Sequence, residues 1–133
     1  MASYPRILQT VLDATDVREL AEFYRRMFGL AYRPGDEEDT GQDWLVLRDP
    51  GGGRQLAFQQ VDELPAATWP EPRVPQQLHL DTVVPDTAEL DAQHERALAL
   101  GAKLLLDRRD DPEEPLYVYA DPAGHPFCIF VGS

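Results

Sequence analysis

Two stretches of this chain repeat one another, and that repeat restricts the fold more than any other feature. The first runs from Gln9 through Thr10, Val11, Leu12, Asp13, Ala14 and Thr15 to Asp16, then a helical pattern, then Gly29. The second runs from His79 through Leu80, Asp81, Thr82, Val83, Val84 and Pro85 to Asp86, then a helical pattern, then Gly101. A second pair of segments follows each. Asp49-Pro50, a glycine run and Leu56-Ala57-Phe58 parallel Asp121-Pro122-Ala123-Gly124 and Phe127-Cys128-Ile129. Asp-Pro followed by glycine marks a turn between two strands. Gly29 and Gly101 lie 72 positions apart, as do Asp49 and Asp121, while the first turn holds one extra residue. Each half therefore reads β-α-β-β-β. The first module spans about residues 6–61 and the second about 77–131, joined by a linker over 62–76 that contains Pro65, Pro70, Pro72 and Pro75. The expected fold class is α+β: one domain over 1–133 made of two βαβββ modules.

The helix boundaries support the repeat. Asp16 and Asp86 each stand where an N-cap is wanted, with Glu19 and Glu89 three residues on. Val17, Leu20, Ala21, Tyr24, Met27 and Phe28 fall at helical spacing in the first half. Leu90, Ala97 and Leu98 form a weaker stripe in the second. Gly29 and Gly101 sit where a left-handed residue ends a helix. The remaining strands are expected at about Ala31 to Arg33, Trp44 to Arg48, Lys103 to Leu106 and Leu116 to Ala120.

Side chains alternate between the faces of a strand. Leu8, Thr10 and Leu12 oppose Gln9, Val11 and Asp13, and Leu56 and Phe58 oppose Gln55, Ala57 and Gln59. In the second half, Leu78, Leu80, Thr82 and Val84 oppose Gln77, His79, Asp81 and Val83. Phe127, Ile129 and Val131 oppose Pro126, Cys128 and Phe130. One face of each strand is apolar and suits a helix; the other is repeatedly polar. Two readings stay open for the polar face: a concave ligand surface, or the solvated side of a two-layer domain.

Composition narrows the partners. The formal net charge is −12, from 24 acidic and 12 basic residues, so phosphate backbones are repelled and nucleic acid is not an expected partner. A cationic ligand would be attracted, although acidity also serves solubility alone. No run reaches the roughly 18 apolar residues of a membrane span. Residues 1–5 show no basic region leading into an apolar stretch. The single cysteine, Cys128, allows no internal disulfide. A cytoplasmic protein without membrane partners is expected. No nucleophile triad, CxxC pair or carboxylate dyad is recognisable. The segment Asp49 to Arg54 lacks the Gly-Lys-Ser/Thr end of a P-loop.

The order of these motifs resembles the vicinal-oxygen-chelate superfamily, which includes glyoxalase I, bleomycin-resistance proteins and extradiol dioxygenases. The residues that carry the likeness are Leu12 to Asp16, Glu22-Phe23-Tyr24-Arg25-Arg26-Met27-Phe28-Gly29, His79-Leu80-Asp81, and Asp121 to Cys128. The resemblance extends from about Arg6 to Phe130, nearest to glyoxalase-like proteins of undefined activity. It implies a curved mixed sheet forming a cup, with helices on the outer face.

In metal-dependent relatives, four positions on the first and last strands of each half surround a divalent ion. The resemblance places Gln9, Ala57, His79 and Cys128 at these positions. Gln9 and His79 suit a pattern of Gln, Glu, His and Glu known in some glyoxalase I enzymes, whereas Ala57 and Cys128 replace both carboxylates. One imidazole and one amide are a poor set for a divalent ion, and Ala57 cannot abstract a proton. No metal cofactor is expected; Gln9 and His79 are the residual metal candidates. Ligand contacts are expected from Gln9, Gln59, His79 and Cys128. His79 reads equally as a satisfied structural histidine, and Cys128 as a small buried hydrophobe. His94 receives no role, and His125 reads as a turn residue. Trp44 is a cavity wall or ordinary packing.

The resemblance implies a small-molecule binder like the bleomycin-resistance branch. The alternative is a metal-dependent or metal-independent enzyme of the lyase, isomerase or dioxygenase class. A third reading is an interaction domain with a vestigial cup. Many relatives complete their cups as dimers, and exposed sheet edges favour a partner. A homodimer with Trp69 of the linker near its interface is therefore expected.

Overall fold

The structure is a computed structural model, described here for residues 4–53 and 55–132; Arg54, the last residue of the segment compared with a P-loop, lies outside them, as do residues 1–3 and 133. The described chain contains β1 (Thr10–Ala14), α1 (Val17–Phe28), β2 (Ala31–Tyr32), β3 (Trp44–Arg48), β4 (Gln55–Gln60), β5 (Leu80–Val84), α2 (Thr87–Ala99), β6 (Lys103–Arg108), β7 (Leu116–Ala120) and β8 (Pro126–Val131). The βαβββ order expected from the repeat is therefore present twice. The chain divides into two compact units at Glu63/Leu64. Most of the proline-rich segment thus belongs to the second unit. It carries a turn: Thr68 Oγ1 accepts from the Val74 N–H, and the Thr68 carbonyl accepts from the Glu71 N–H.

In the first unit the sheet order is β1-β4-β3-β2, and in the second it is β5-β8-β7-β6. β1 runs parallel to β4 and β5 parallel to β8, while the other pairs are antiparallel. Parallel strands need a crossover rather than a hairpin, and here the chain between each parallel pair holds the unit's helix and its two other strands. The register repeats as well: Val11 pairs with Ala57, and Asp81 with Cys128.

The helices begin as the capping residues require. Asp16 Oδ1 accepts from the Glu19 N–H at 3.1 Å, and Asp86 Oδ1 from the Glu89 N–H at 2.8 Å. α1 gains a second clasp: Gln60 Oε1, at the end of β4, accepts from the Val17 N–H at 3.0 Å. This satisfies another of the orphan donors at the helix start. Gly29 ends α1 with φ +66°, a conformation that costs a residue with a Cβ about 1 kcal/mol or more. α2 ends with its glycine at the expected place, just past the C-cap. Leu100 caps it in the right-handed region, and Gly101 follows with φ +110°.

α1 buries Val17, Leu20, Ala21, Phe23, Tyr24 and Met27 over Leu12, Leu45, Leu47 and Phe58. At roughly 1.5–3 kcal/mol for each large apolar side chain, this layer dominates the unit's stability. α2 is thinner. Leu90 and Ala97 are buried, but Leu98 is 42% exposed, contrary to the stripe expected from the sequence. His94 takes the inward place instead. Its ring stacks on Tyr117 at 4.0 Å between centroids, and Nδ1 lies 2.8 Å from the Tyr119 hydroxyl. It is a structural histidine, satisfied by a tyrosine under the helix. Among the described residues, no helix is long and apolar enough to cross a membrane.

Candidate functional site

In both sheets, the face away from the helix carries the residues singled out by the strand alternation. In the first unit, β1, β4 and β3 place Asp13, Gln59 and Trp44 in one row and Val11, Ala57 and Val46 in the next. Gln59 is exposed and Trp44 half-buried, so this row presents an amide beside an indole and a carboxylate. Ala57 is fully buried. Gln9 lies just before β1, half-buried.

The second unit places its polar groups differently. The row Val83, Phe130 and Leu116 is apolar, whereas the row Asp81, Cys128 and Val118 begins with two polar groups. His79 stands one residue before β5, with Nε2 3.2 Å from Asp81 Oδ1. One ligand atom each from His79, Asp81 and Cys128 lies within 4.8 Å of the others. The fold thus brings two of the expected site residues, His79 and Cys128, onto a shared partner. Asp81 was visible in the sequence only as a polar-face residue. The signal for it was the repeat, which matches Asp81 with Val11 and so shows a carboxylate where the other half keeps an apolar side chain.

The environment sets the state of the thiol. Burial pushes Cys128 up to about 11 from an ordinary 9.0, and the negative charge of Asp81, a hydrogen bond to Asp81 and the charge of Glu114 add to the shift. At neutral pH the group is a neutral thiol rather than a nucleophilic thiolate. The four positions implied by the resemblance do not fit a divalent ion. Ala57 offers no donor and is sealed from solvent. Among the described residues, the ligating groups that cluster in the second unit are His79, Asp81 and Cys128.

His125 belongs to a turn, as its position after Gly124 suggested. Asp121, only 4% exposed, accepts from the Ala123 and His125 N–H groups through Oδ1. A separate cavity of about 490 Å³ lies in the first unit, lined by Arg18, Glu22, Arg25, Tyr32, Glu37 and Asp39. Its charged groups serve the fold. Glu22 accepts two hydrogen bonds from Arg25 and one from the Tyr32 hydroxyl. Arg18 donates to the Asp36 and Glu38 carbonyls and to Gln42, holding the acidic loop, and lies 5.0 Å over the Tyr32 ring. Asp36, an unremarked member of that loop in the sequence, is buried, and its Oδ2 accepts from the Val46 N–H at 3.0 Å.

No curated protein matches the chain. Several solved structures do. FosX from Listeria monocytogenes, a fosfomycin resistance protein solved with Mn(II) and a dihydroxypropylphosphonic acid, is 18% identical with a TM-score of 0.71, over 98% of this chain and 95% of that one. A glyoxalase/bleomycin resistance protein/dioxygenase family enzyme from Burkholderia phytofirmans is 18% identical, with a TM-score of 0.68 over 92% and 95%. Lactoylglutathione lyase from Agrobacterium tumefaciens is 24% identical, with a TM-score of 0.63 over 98% and 96%. At these identities the likeness shows the fold. The family model described as a glyoxalase-like domain matches residues 9–130. The chain therefore belongs to the glyoxalase-like domain family, within the vicinal-oxygen-chelate superfamily.

Proposed function

We propose that this protein binds a small organic molecule on the open face of its sheets, without using the four-position metal set of its relatives. The observation that carries this is the convergence of His79, Asp81 and Cys128 beside the apolar row of Val83 and Phe130. A few polar groups set against an apolar floor are the ordinary composition of a ligand surface. Val83 is 49% exposed, which leaves that floor open to a ligand. On the first module, taken by itself, Gln9 and Gln59 are the polar candidates for ligand contact. The net charge of −12 favours cationic over anionic ligands by long-range attraction.

A thermal-shift screen of cationic and anionic aromatic compounds tests the reading. A cationic compound present at about 100 times its Kd should stabilise the protein by about 2.7 kcal/mol. His79→Ala should abolish the shift. The reading fails if no compound shifts the transition, or if shifts persist when both His79 and Asp81 are replaced.

The second reading is a metal-dependent enzyme, favoured by the three donor types gathered in the second module. The relatives that are enzymes, lactoylglutathione lyase among them, give it chemical precedent. We also propose a cytoplasmic homodimer with Trp69 near its interface. Light scattering that returns a mass near the 15.0 kDa of one chain would reject the dimer.

A further inference from the structure

We infer that the second module by itself holds a site for a thiophilic divalent cation, with His79, Asp81 and Cys128 as its protein ligands. This goes beyond small-molecule binding and departs from the four-position set implied by the resemblance, in which Asp81 has no part.

Matching register puts Val11 opposite Ala57 in the first module and Asp81 opposite Cys128 in the second. Gln9 and His79 precede these pairs in the same way. All three places carry a group able to ligate an ion in the second module, whereas the first keeps a valine and an alanine. The backbone frame is therefore shared, and the chemistry differs at each of three adjoining positions.

The donor geometry agrees. The three ligand atoms lie within 4.8 Å of one another, and His79 Nε2 is already 3.2 Å from Asp81 Oδ1. Tetrahedral zinc with sulfur, nitrogen and oxygen ligands needs edges of about 3.5 Å. The remaining closure is about 1 Å, and rotamers of the His79 and Asp81 side chains, 43% and 59% exposed, can supply it. A sulfur, an imidazole and one carboxylate together suit zinc or cobalt and disfavour magnesium or calcium, which take oxygen ligands. On coordination Cys128 would give up its proton, since a coordinating thiol is deprotonated outright. Three protein ligands leave a fourth position for water or a ligand atom.

Cobalt(II) added to the chelator-treated full chain tests this directly. A thiolate-to-cobalt charge-transfer band should rise and saturate at one ion per chain, and zinc should displace it. Cys128→Ser should remove the band. Asp81→Asn, at an exposed side chain that the fold does not need, should weaken cobalt binding by about tenfold or more. Absence of a saturable band in the unsubstituted protein would overturn the inference. So would affinity that falls with Gln9→Ala and not with Asp81→Asn, which would put the ion in the relatives' four-position site. Both outcomes are read without any small molecule present, so they stand apart from the ligand screen.

Discussion

Alkylation of Cys128 by iodoacetamide should be slow, and the pH dependence of the rate should show why. The thiol is pushed from an ordinary 9.0 up to about 11, chiefly by burial and then by the charge of Asp81. Two pH units reduce the thiolate present at about pH 8 roughly 100-fold. The thiolate that does form is more basic and so more nucleophilic, by about sixfold to tenfold for a Brønsted coefficient of roughly 0.4–0.5. The two effects together leave a rate about 10- to 15-fold below that of an ordinary cysteine. Restricted access would lower the whole profile without moving its bend, so the shape of the profile separates the causes. With chelator present, the logarithm of the rate should keep rising steadily across roughly pH 7 to 10, past the point where an unfolded control levels off. Asp81→Asn should bring the bend down, but not to the ordinary value, because burial is the larger cause. A native profile that bends near the unfolded value, or one that Asp81→Asn leaves in place, would refute the assigned electrostatics.

Two further outcomes concern the frame that holds the site. Glu22 is held at about 2 from an ordinary 4.5, first by its hydrogen bonds from Arg25 and also by the Tyr32 hydroxyl and the charges of Arg25 and Arg26. A lowered carboxylate contributes stability that is present above its unfolded value and lost as pH falls toward its folded one. Glu22→Gln should therefore flatten acid unfolding between about pH 4.5 and 2, and an unchanged acid limb in a denaturant series would count against the pairing. Gly124→Ala should destabilise by about 2 kcal/mol or more, since φ is +97° and a Cβ there would stand 2.6 Å from Ala66 Cβ; a midpoint within about 0.5 kcal/mol of the parent would contradict this.

The fold was legible because the repeat, the caps and the Asp-Pro turns are local signals that agree. Asp16 and Asp86 cap their helices as read, and β3 and β7 occupy Trp44–Arg48 and Leu116–Ala120 as read. Signals that depend on tertiary partners were weaker. Leu98 carries the right period but lies off the buried stripe, because His94 supplies that contact through two tyrosines distant in sequence. The clasp of Gln60 on the start of α1 was invisible for the same reason, since its partners lie 43 and 45 positions away.

The candidate site shows the same limit at the level of chemistry. Strand alternation put His79, Asp81 and Cys128 on one face, but alternation does not say which neighbours touch. Only the register of β5 on β8 turns two separate motifs, His79-Leu80-Asp81 and Pro126-Phe127-Cys128, into one cluster. Comparing the two halves residue by residue within this sequence would have singled out Asp81, because its counterpart Val11 cannot carry charge. A repeat thus offers an internal control that a single motif lacks. Where both halves keep one residue type, as at Asp16 and Asp86, the frame explains it. Where they diverge from apolar to ligating groups on an open face, the frame does not require the change, and binding at that face becomes the reason to look for.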